Sequence, residues 1–372
     1  LRRSRGLGDV YKRQNYNSAL NRKIRNFEIL LSKHDFPTPK IFPSPIKNFR
    51  MRAEFRIWHD DGVAKYAMNY PGQKKVYFLE EFPIASLIIN KTMNPLIKMI
   101  NNCLALKEKL FSVEFLSSGQ NKILITLIYH KPLNNDWSLS AERVRRELGV
   151  SIIGRSRKKK IVLGDSFVEE NIKVKDHSFV FRQPEGCFTQ PNLKINKDIM
   201  SWLMEIIPNS AKKLDVIELY CGIGNFTMPL SKKFKNVLAT EVSKLALETA
   251  KENQKLNKIN NIKFARLSSK ETQEALFGTR NFRRLEGIEI KEYDFNYVVI
   301  DPPRSGLDSD TLNLVVNIKN VIYISCNPES LLEDLEHILK THKIINLAVF
   351  DQFPWTEHLE VGVLMESHTK VQ

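Results

Sequence analysis

Four short apolar runs in the second half of the chain each end at a polar residue. Asp215-Val216-Ile217-Glu218-Leu219 runs into Tyr220-Cys221-Gly222-Ile223-Gly224-Asn225, and Val237-Leu238-Ala239-Thr240 stops at Glu241. Tyr297-Val298-Val299-Ile300 stops at Asp301, and Val321-Ile322-Tyr323-Ile324 stops before Cys326. Helical patterns separate these runs. Continuously apolar strands alternating with helices specify an α/β fold with a doubly wound parallel sheet. Such sheets bind ligands at the carboxyl ends of their strands, so these polar residues are expected to converge on one crevice.

The first of these strand ends carries Gly222-x-Gly224, which lets backbone approach a nucleotide-like ligand closely. Glu241 follows Gly222 by nineteen residues and ends the next strand, where a carboxylate can accept both ribose hydroxyl protons. The spacing suits a dinucleotide or S-adenosylmethionine (SAM). Position 227 is Thr227 rather than a third glycine, which disfavours a pyrophosphate and favours SAM.

Asp301-Pro302-Pro303-Arg304 places two prolines directly after a strand and so makes a stiff, extended loop. That loop can hold Asp301 toward a base edge and aim Arg304 at a phosphate or base; Asp308 then caps the next helix. At Ser325-Cys326-Asn327-Pro328, a cap residue and a proline follow a lone cysteine. A helix N-terminus favours thiolate over thiol, so Cys326 reads either as a nucleophile or as a buried structural cysteine. Glu360, at the start of Val361-Gly362-Val363-Leu364, reads by itself as a surface acid.

The first half of the chain has a different character, with short strands and two or three helices. Met51, Ala53, Phe55 and Ile57 alternate with polar residues, the period of a half-buried strand. Its other face reads Arg50, Arg52, Glu54, Arg56, Trp58. Three guanidiniums and an indole can grip phosphates and stack a base; an ordinary solvated face is the alternative. Phe111 is a candidate for stacking on a loop base or else a core phenylalanine. Residues 84–106 read as a helix interrupted at Pro95, and Arg155-Ser156-Arg157-Lys158-Lys159-Lys160 as a basic loop or strand start. The boundaries are expected at 15–178 for an α+β RNA-binding domain and 179–372 for the α/β domain.

The net charge is +15. Residues 1–14 hold five bases and one acid, lack any apolar period, and read as a non-native or disordered leader. The remainder keeps +11, which suggests a polyanionic partner, nucleic acid before an anionic membrane surface. No apolar run is long enough to span a bilayer, and no secretory signal opens the chain. Cys103, Cys187, Cys221 and Cys326 are scattered, without C-x-x-C or zinc spacing. A reduced, cytoplasmic protein follows from that usage.

The motifs taken together resemble the RNA 5-methyluridine methyltransferases. The resemblance rests on Asp301-Pro302-Pro303-Arg304, Ser325-Cys326-Asn327-Pro328 and Asp351-Gln352-Phe353-Pro354 with His358-Leu359-Glu360. It extends to Phe188-Thr189-Gln190-Pro191-Asn192, Glu218-Leu219-Tyr220-Cys221-Gly222 and the stretch from Phe49 to Asp60, so it covers nearly all of the chain after residue 14. It implies a Rossmann-like SAM-dependent methyltransferase domain, Cys326 as the nucleophile that adds to uracil C6, and Glu360 as the base that removes the C5 proton. It also places Gln190, Tyr220, Asn225, Glu241 and Asp301 at the SAM site. Relatives that modify ribosomal RNA carry an iron–sulfur cysteine cluster, and none is visible here. That points to the tRNA branch, with no metal or iron–sulfur cofactor. The expected target is the T-loop uridine at tRNA position 54, flipped from its stack, in a monomeric enzyme that also admits other RNAs with a T-loop-like structure. An acidic adenine contact would be common near Ser268-Ser269, and its role stays unassigned. The same chemistry on ribosomal or other structured RNA, a non-catalytic RNA-binding or RNA-folding protein, and a DNA amino-methyltransferase are the competing readings. The last needs no cysteine nucleophile.

Overall fold

A computed structural model describes residues 5–70, 72–73 and 75–368. The chain divides into two compact units. One comprises residues 47–171 and 181–186; the other comprises residues up to 46, 172–180 and from 187 onward. The division differs from a single boundary near 178, because residues 15–46 group with the α/β unit. Residues 1–4 of the expected leader lie outside the described residues, and residues 5–14 are the first turns of a helix, Arg5–Leu31.

The smaller unit has a seven-stranded sheet in the order Val76–Leu79, Val63–Asn69, Arg52–Asp60, Leu110–Ser117, Ile123–Tyr129, Ser151–Ser156, Lys159–Leu163. Asp60 pairs with Val63 across a turn at Asp61-Gly62. The helix Leu87–Asn101 contains Pro95, and a short helix Leu104–Lys107 follows it. Strand Arg52–Asp60 alternates as its sequence requires: Ala53, Phe55 and Ile57 are buried, while Glu54, Arg56 and Trp58 are exposed. The helix Asn135–Leu148 sends Trp137 into the core, where Gly154 makes room; a Cβ there would stand 2.2 Å from the indole.

The larger unit contains an eight-stranded sheet in the order Lys40–Phe42, His342–Phe350, Glu360–Ser367, Asn320–Ser325, Phe295–Ile300, Asp215–Leu219, Asn236–Thr240, Ile262–Ala265. All neighbours are parallel except Glu360–Ser367, which runs antiparallel to both of its partners. Val216, Ile217, Val298, Val299, Val321 and Ile322 are fully buried, as strands covered on both faces must be. The order reverses on either side of Asp215–Leu219, which makes the ends of that strand and of Phe295–Ile300 a crevice. This is the Rossmann-like arrangement, with one reversed strand near its edge.

The helix Arg5–Leu31 covers one face of this sheet. Tyr16, Leu20, Ile24, Phe27 and Leu31 are buried in the core formed with Leu331, Leu347 and Leu359, and Lys23 is buried on the same stripe. Their spacing is that of one helical face. Burying each large apolar side chain contributes about 1.5–3 kcal/mol, enough to hold the helix against the sheet. No helix among the described residues is long and apolar enough to cross a membrane.

Candidate active site

The antiparallel strand decides what meets what. Ser325 pairs with Val361, so the next residue of one strand, Cys326, lies beside the preceding residue of the other, Glu360. On the opposite side Ile300 pairs with Tyr323, which brings the following Asp301 to the same edge. Electrostatics report the proximity: the Cys326 thiol feels both Glu360 and Asp301, and Glu360 feels Asp301.

Glu360 is buried, not a surface acid as its sequence position alone suggests. Burial first, then the charge of Asp301, holds its carboxyl well above the ordinary range; burial does the same to Asp301. Two adjoining buried carboxyls cannot both ionise near neutrality, so this site retains a proton.

Cys326 departs from the expectation that its helix would favour thiolate. Burial, Glu360 and Asp301 push its thiol upward, and the nearby Arg304 guanidinium pulls it down. The helix Pro328–Ile338 begins two residues later, and the Asn327 side chain accepts its free N–H from Glu329 at 3.3 Å. Pro328 has no N–H to offer. Asn327 thus already occupies one of the helix's first N–H groups, while the Cys326 thiol lies near two carboxyls and one guanidinium.

The Asp-Pro-Pro-Arg loop is clamped to the following elements. Asp334 accepts from Leu307 N at 3.0 Å and from the Tyr323 hydroxyl at 2.6 Å. Gly306 has φ +75°, and a Cβ there would lie 2.8 Å from Asp334 Oδ2. Asn327 Nδ2 donates to Arg304 O at 2.9 Å, tying the Arg304 and Cys326 segments together. Asp308 caps the helix Ser309–Val315 as expected.

The glycine turn lies next along the same edge. Tyr220, Gly222 and Gly224 all have positive φ, +60°, +54° and +84°. The space where a Gly222 Cβ would project is open. Glu241 Oε2 accepts from Gly222 N at 3.1 Å and Oε1 from Ser243 N at 2.7 Å. Its carboxylate is therefore oriented by backbone and retains lone pairs for hydroxyl donors. Beneath it, Glu218 is buried and pushed up to about 8 by burial, which Asp301 reinforces and Thr227 opposes. Its Oε2 accepts no hydrogen bond among the described residues. Asn225 exchanges both amide hydrogen bonds with Asn196, at 2.8 and 3.0 Å.

Gln190 Nε2 donates to Asp301 Oδ2 at 3.5 Å, and Gln352 Nε2 donates to Gln190 Oε1 at 2.5 Å. Gln352 is fully buried and its own Oε1 accepts nothing among the described residues. Gln352 and Glu218 belong to the quoted motifs, and nothing in their local sequence pattern signals a role of their own. The open turn, the oriented Glu241 and the buried acceptors suit a ligand rich in hydroxyl and ammonium donors, such as SAM.

The other residues expected to bind RNA lie in the smaller unit. Arg56 stands 5.5 Å from the Trp58 ring and 5.7 Å from the Phe111 ring. Phe111 stacks on His130 at 4.3 Å and is 38% exposed, so it is not a core residue. A groove of about 470 Å³ runs along Arg56, Trp58, His59, Lys109, Phe111 and His130. His130 escaped the sequence reading, since it only follows a strand. Arg50 is half-buried, with Nε donating to Arg52 O at 2.8 Å; burial, then the Arg52 charge, lowers its pKa. Arg52 lies 3.7 Å from Glu114. The face therefore mixes charges, with Glu54 directly opposite Glu114. The basic run at 155–160 forms a hairpin in which Arg155 and Lys160 pair with the buried Glu185.

The chain resembles known proteins over nearly its whole length. The family model described as tRNA (Uracil-5-)-methyltransferase matches residues 15–368. A tRNA/tmRNA (uracil-C(5))-methyltransferase of Cellvibrio japonicus is 44% identical over 96% of this chain and 97% of its own. A protein of the same name from Sulfurovum sp. is 46% identical over 95% of each chain. The crystal structure of Pyrococcus abyssi tRNA (uracil-54, C5)-methyltransferase with S-adenosyl-L-homocysteine shares the fold, with a TM-score of 0.72 at 18% identity over 94% of this chain and 83% of that one. With a matching family model over almost the whole chain and full-length relatives at this identity, the chain belongs to the tRNA (uracil-5-)-methyltransferase family.

Proposed function

We propose that this enzyme methylates C5 of the T-loop uridine of tRNA through a covalent Cys326 adduct. Family membership makes the chain a SAM-dependent tRNA uracil C5-methyltransferase; the target position and the covalent route are the proposal. The observation that carries it is Cys326 beside the buried Glu360, with Asp301 completing the edge.

The Cys326 thiol gives up its proton to solvent and the resulting thiolate adds to uracil C6, which raises electron density at C5. Arg304 is the neighbour that favours this thiolate. SAM, when bound, supplies an electrophilic methyl group. Once C5 is methylated, Glu360 takes the C5 proton; the C5=C6 bond re-forms and Cys326 leaves. Glu360 acts in its ionised form, with the proton retained by the pair then on Asp301, and a carboxylate of raised pKa is a stronger base than an ordinary glutamate. Glu241 would hold the ribose hydroxyls, and Gln190, Tyr220, Asn225 and Asp301 would line the rest of the donor site. Arg50, Arg52, Arg56 and Phe111 in the smaller unit, with Arg304, would contact RNA. The exposed Phe111–His130 stack supports a base-stacking platform there. Free cysteines throughout the described residues suit a reduced cytoplasmic setting. As the names of its relatives state for those proteins, tmRNA is a further substrate.

Glu360→Gln tests the mechanism. An amide cannot take the proton, so the methylated protein–RNA adduct should accumulate and survive denaturation, whereas Cys326→Ser should form none. Rapid turnover of Glu360→Gln without a trapped species would assign the proton to another group.

A further inference from the structure

We infer that Lys23, on the N-terminal helix, is a positioning residue for the proton-accepting step. Its ammonium is buried and uses three donors on one short segment: Asp351 Oδ1 at 2.8 Å, Phe353 O at 3.0 Å and His358 O at 3.1 Å. One cation thus closes the loop from 351 to 358, and Glu360 follows two residues later. At the other end of that loop, Gln352 adjoins Asp351 and reaches Gln190, which reaches Asp301. The lysine clamp is therefore the point from which both approaches to the reacting groups hang.

Tyr16 completes the clamp from the same helix face. Its hydroxyl donates to Asp351 Oδ2 at 2.8 Å and accepts from Ser44 N at 2.8 Å. The ion pair is nearly inaccessible, with Lys23 and Asp351 side chains 2% and 0% exposed. Desolvated charges with every ammonium donor used hold one geometry, because a bond lost inside so inaccessible a pair is not readily replaced by solvent. An exposed pair on the same helix and loop, Arg22–Glu357, is 60% and 68% exposed; solvent replaces it readily. Of the two pairs, the buried clamp has the character needed to fix Glu360.

The inference rests on Glu360 as the base, and its test separates the two. Adduct formed and product released per active site are measured for the full chain with tRNA labelled at the target uridine. Lys23→Met strands the Asp351 charge and can unfold the chain. The double substitution Lys23→Met/Asp351→Asn removes both charges, and Tyr16→Phe removes one bond only. Expected is release slowed on the order of tenfold in the double variant, with adduct accumulating, a smaller effect of the same kind in Tyr16→Phe, and none in Arg22→Ala. A purely structural role would lower adduct and product together, in proportion to the folded fraction, and would overturn the inference. So would parental release in a folded double variant; should that variant not fold, parental release in Tyr16→Phe decides against it. If Glu360→Gln traps adduct while these variants behave as the parent, this inference alone fails. If Glu360→Gln traps none, both fail.

Discussion

Replacing Glu218 by glutamine should stabilise the protein, and increasingly so as pH rises. Glu218 is buried on the strand Asp215–Leu219, with Oε2 lacking any hydrogen bond among the described residues and its pKa pushed from 4.5 to about 8. The folded chain therefore holds this proton more tightly than the unfolded chain does. Its contribution to stability is complete below about pH 4.5 and declines as pH rises toward 8. Protonating at pH 7 a carboxyl whose ordinary value is 4.5 costs about 3 kcal/mol. A glutamine has nearly the shape of the protonated acid and no proton to retain. Glu218→Gln should thus match the parent near pH 5 and exceed it by roughly 2–4 kcal/mol at pH 7. Urea denaturation of both proteins from pH 5 to 8, without SAM, measures the difference. Parallel stability–pH curves would show that Glu218 ionises in the fold at its ordinary pH, and that burial has not been the dominant influence on it.

Three other outcomes are expected. Glu241→Ala should weaken SAM binding in calorimetric titration while the protein stays folded, with a modest fall in melting temperature from the loss of its bonds to two backbone N–H groups; unchanged affinity would remove it from the donor site. Arg56→Ala should weaken tRNA binding and lower the magnitude of its salt slope by about 1, since the guanidinium is exposed beside Trp58 and Phe111; an unaltered slope would make this a merely solvated face. Gly306→Ala should cost about 2–4 kcal/mol in urea denaturation, from left-handed backbone strain and loss of the Asp334 hydrogen bonds that the new Cβ displaces. A neutral result would mean that the Asp334 clamp yields without loss.

Much of the candidate site is legible in the sequence alone. Asp301, Cys326 and Glu241 were marked by the abrupt end of an apolar run, and Asn327 and Asp308 by cap chemistry that operates within three residues. The alternation of Arg52–Asp60 named its own buried and exposed faces. Lys23 and Asp351 were not legible as a pair, since 328 residues separate them and nothing local links them. His130 gained meaning only when the pairing of Leu110–Ser117 with Ile123–Tyr129 brought it against Phe111.

By itself the sequence determined the alternation of strands and helices, their caps, and which chemical groups stand at the strand ends, because these follow from propensities and periods acting over a few residues. Only the tertiary structure decided the protonation preferences and the neighbours. It inserted Glu360–Ser367 antiparallel beside Asn320–Ser325, buried Glu360 near Asp301, and placed two carboxyls and the Arg304 guanidinium near Cys326. Desolvation and Coulomb interactions depend on what surrounds a group in space, and most of those surroundings come from distant parts of the chain.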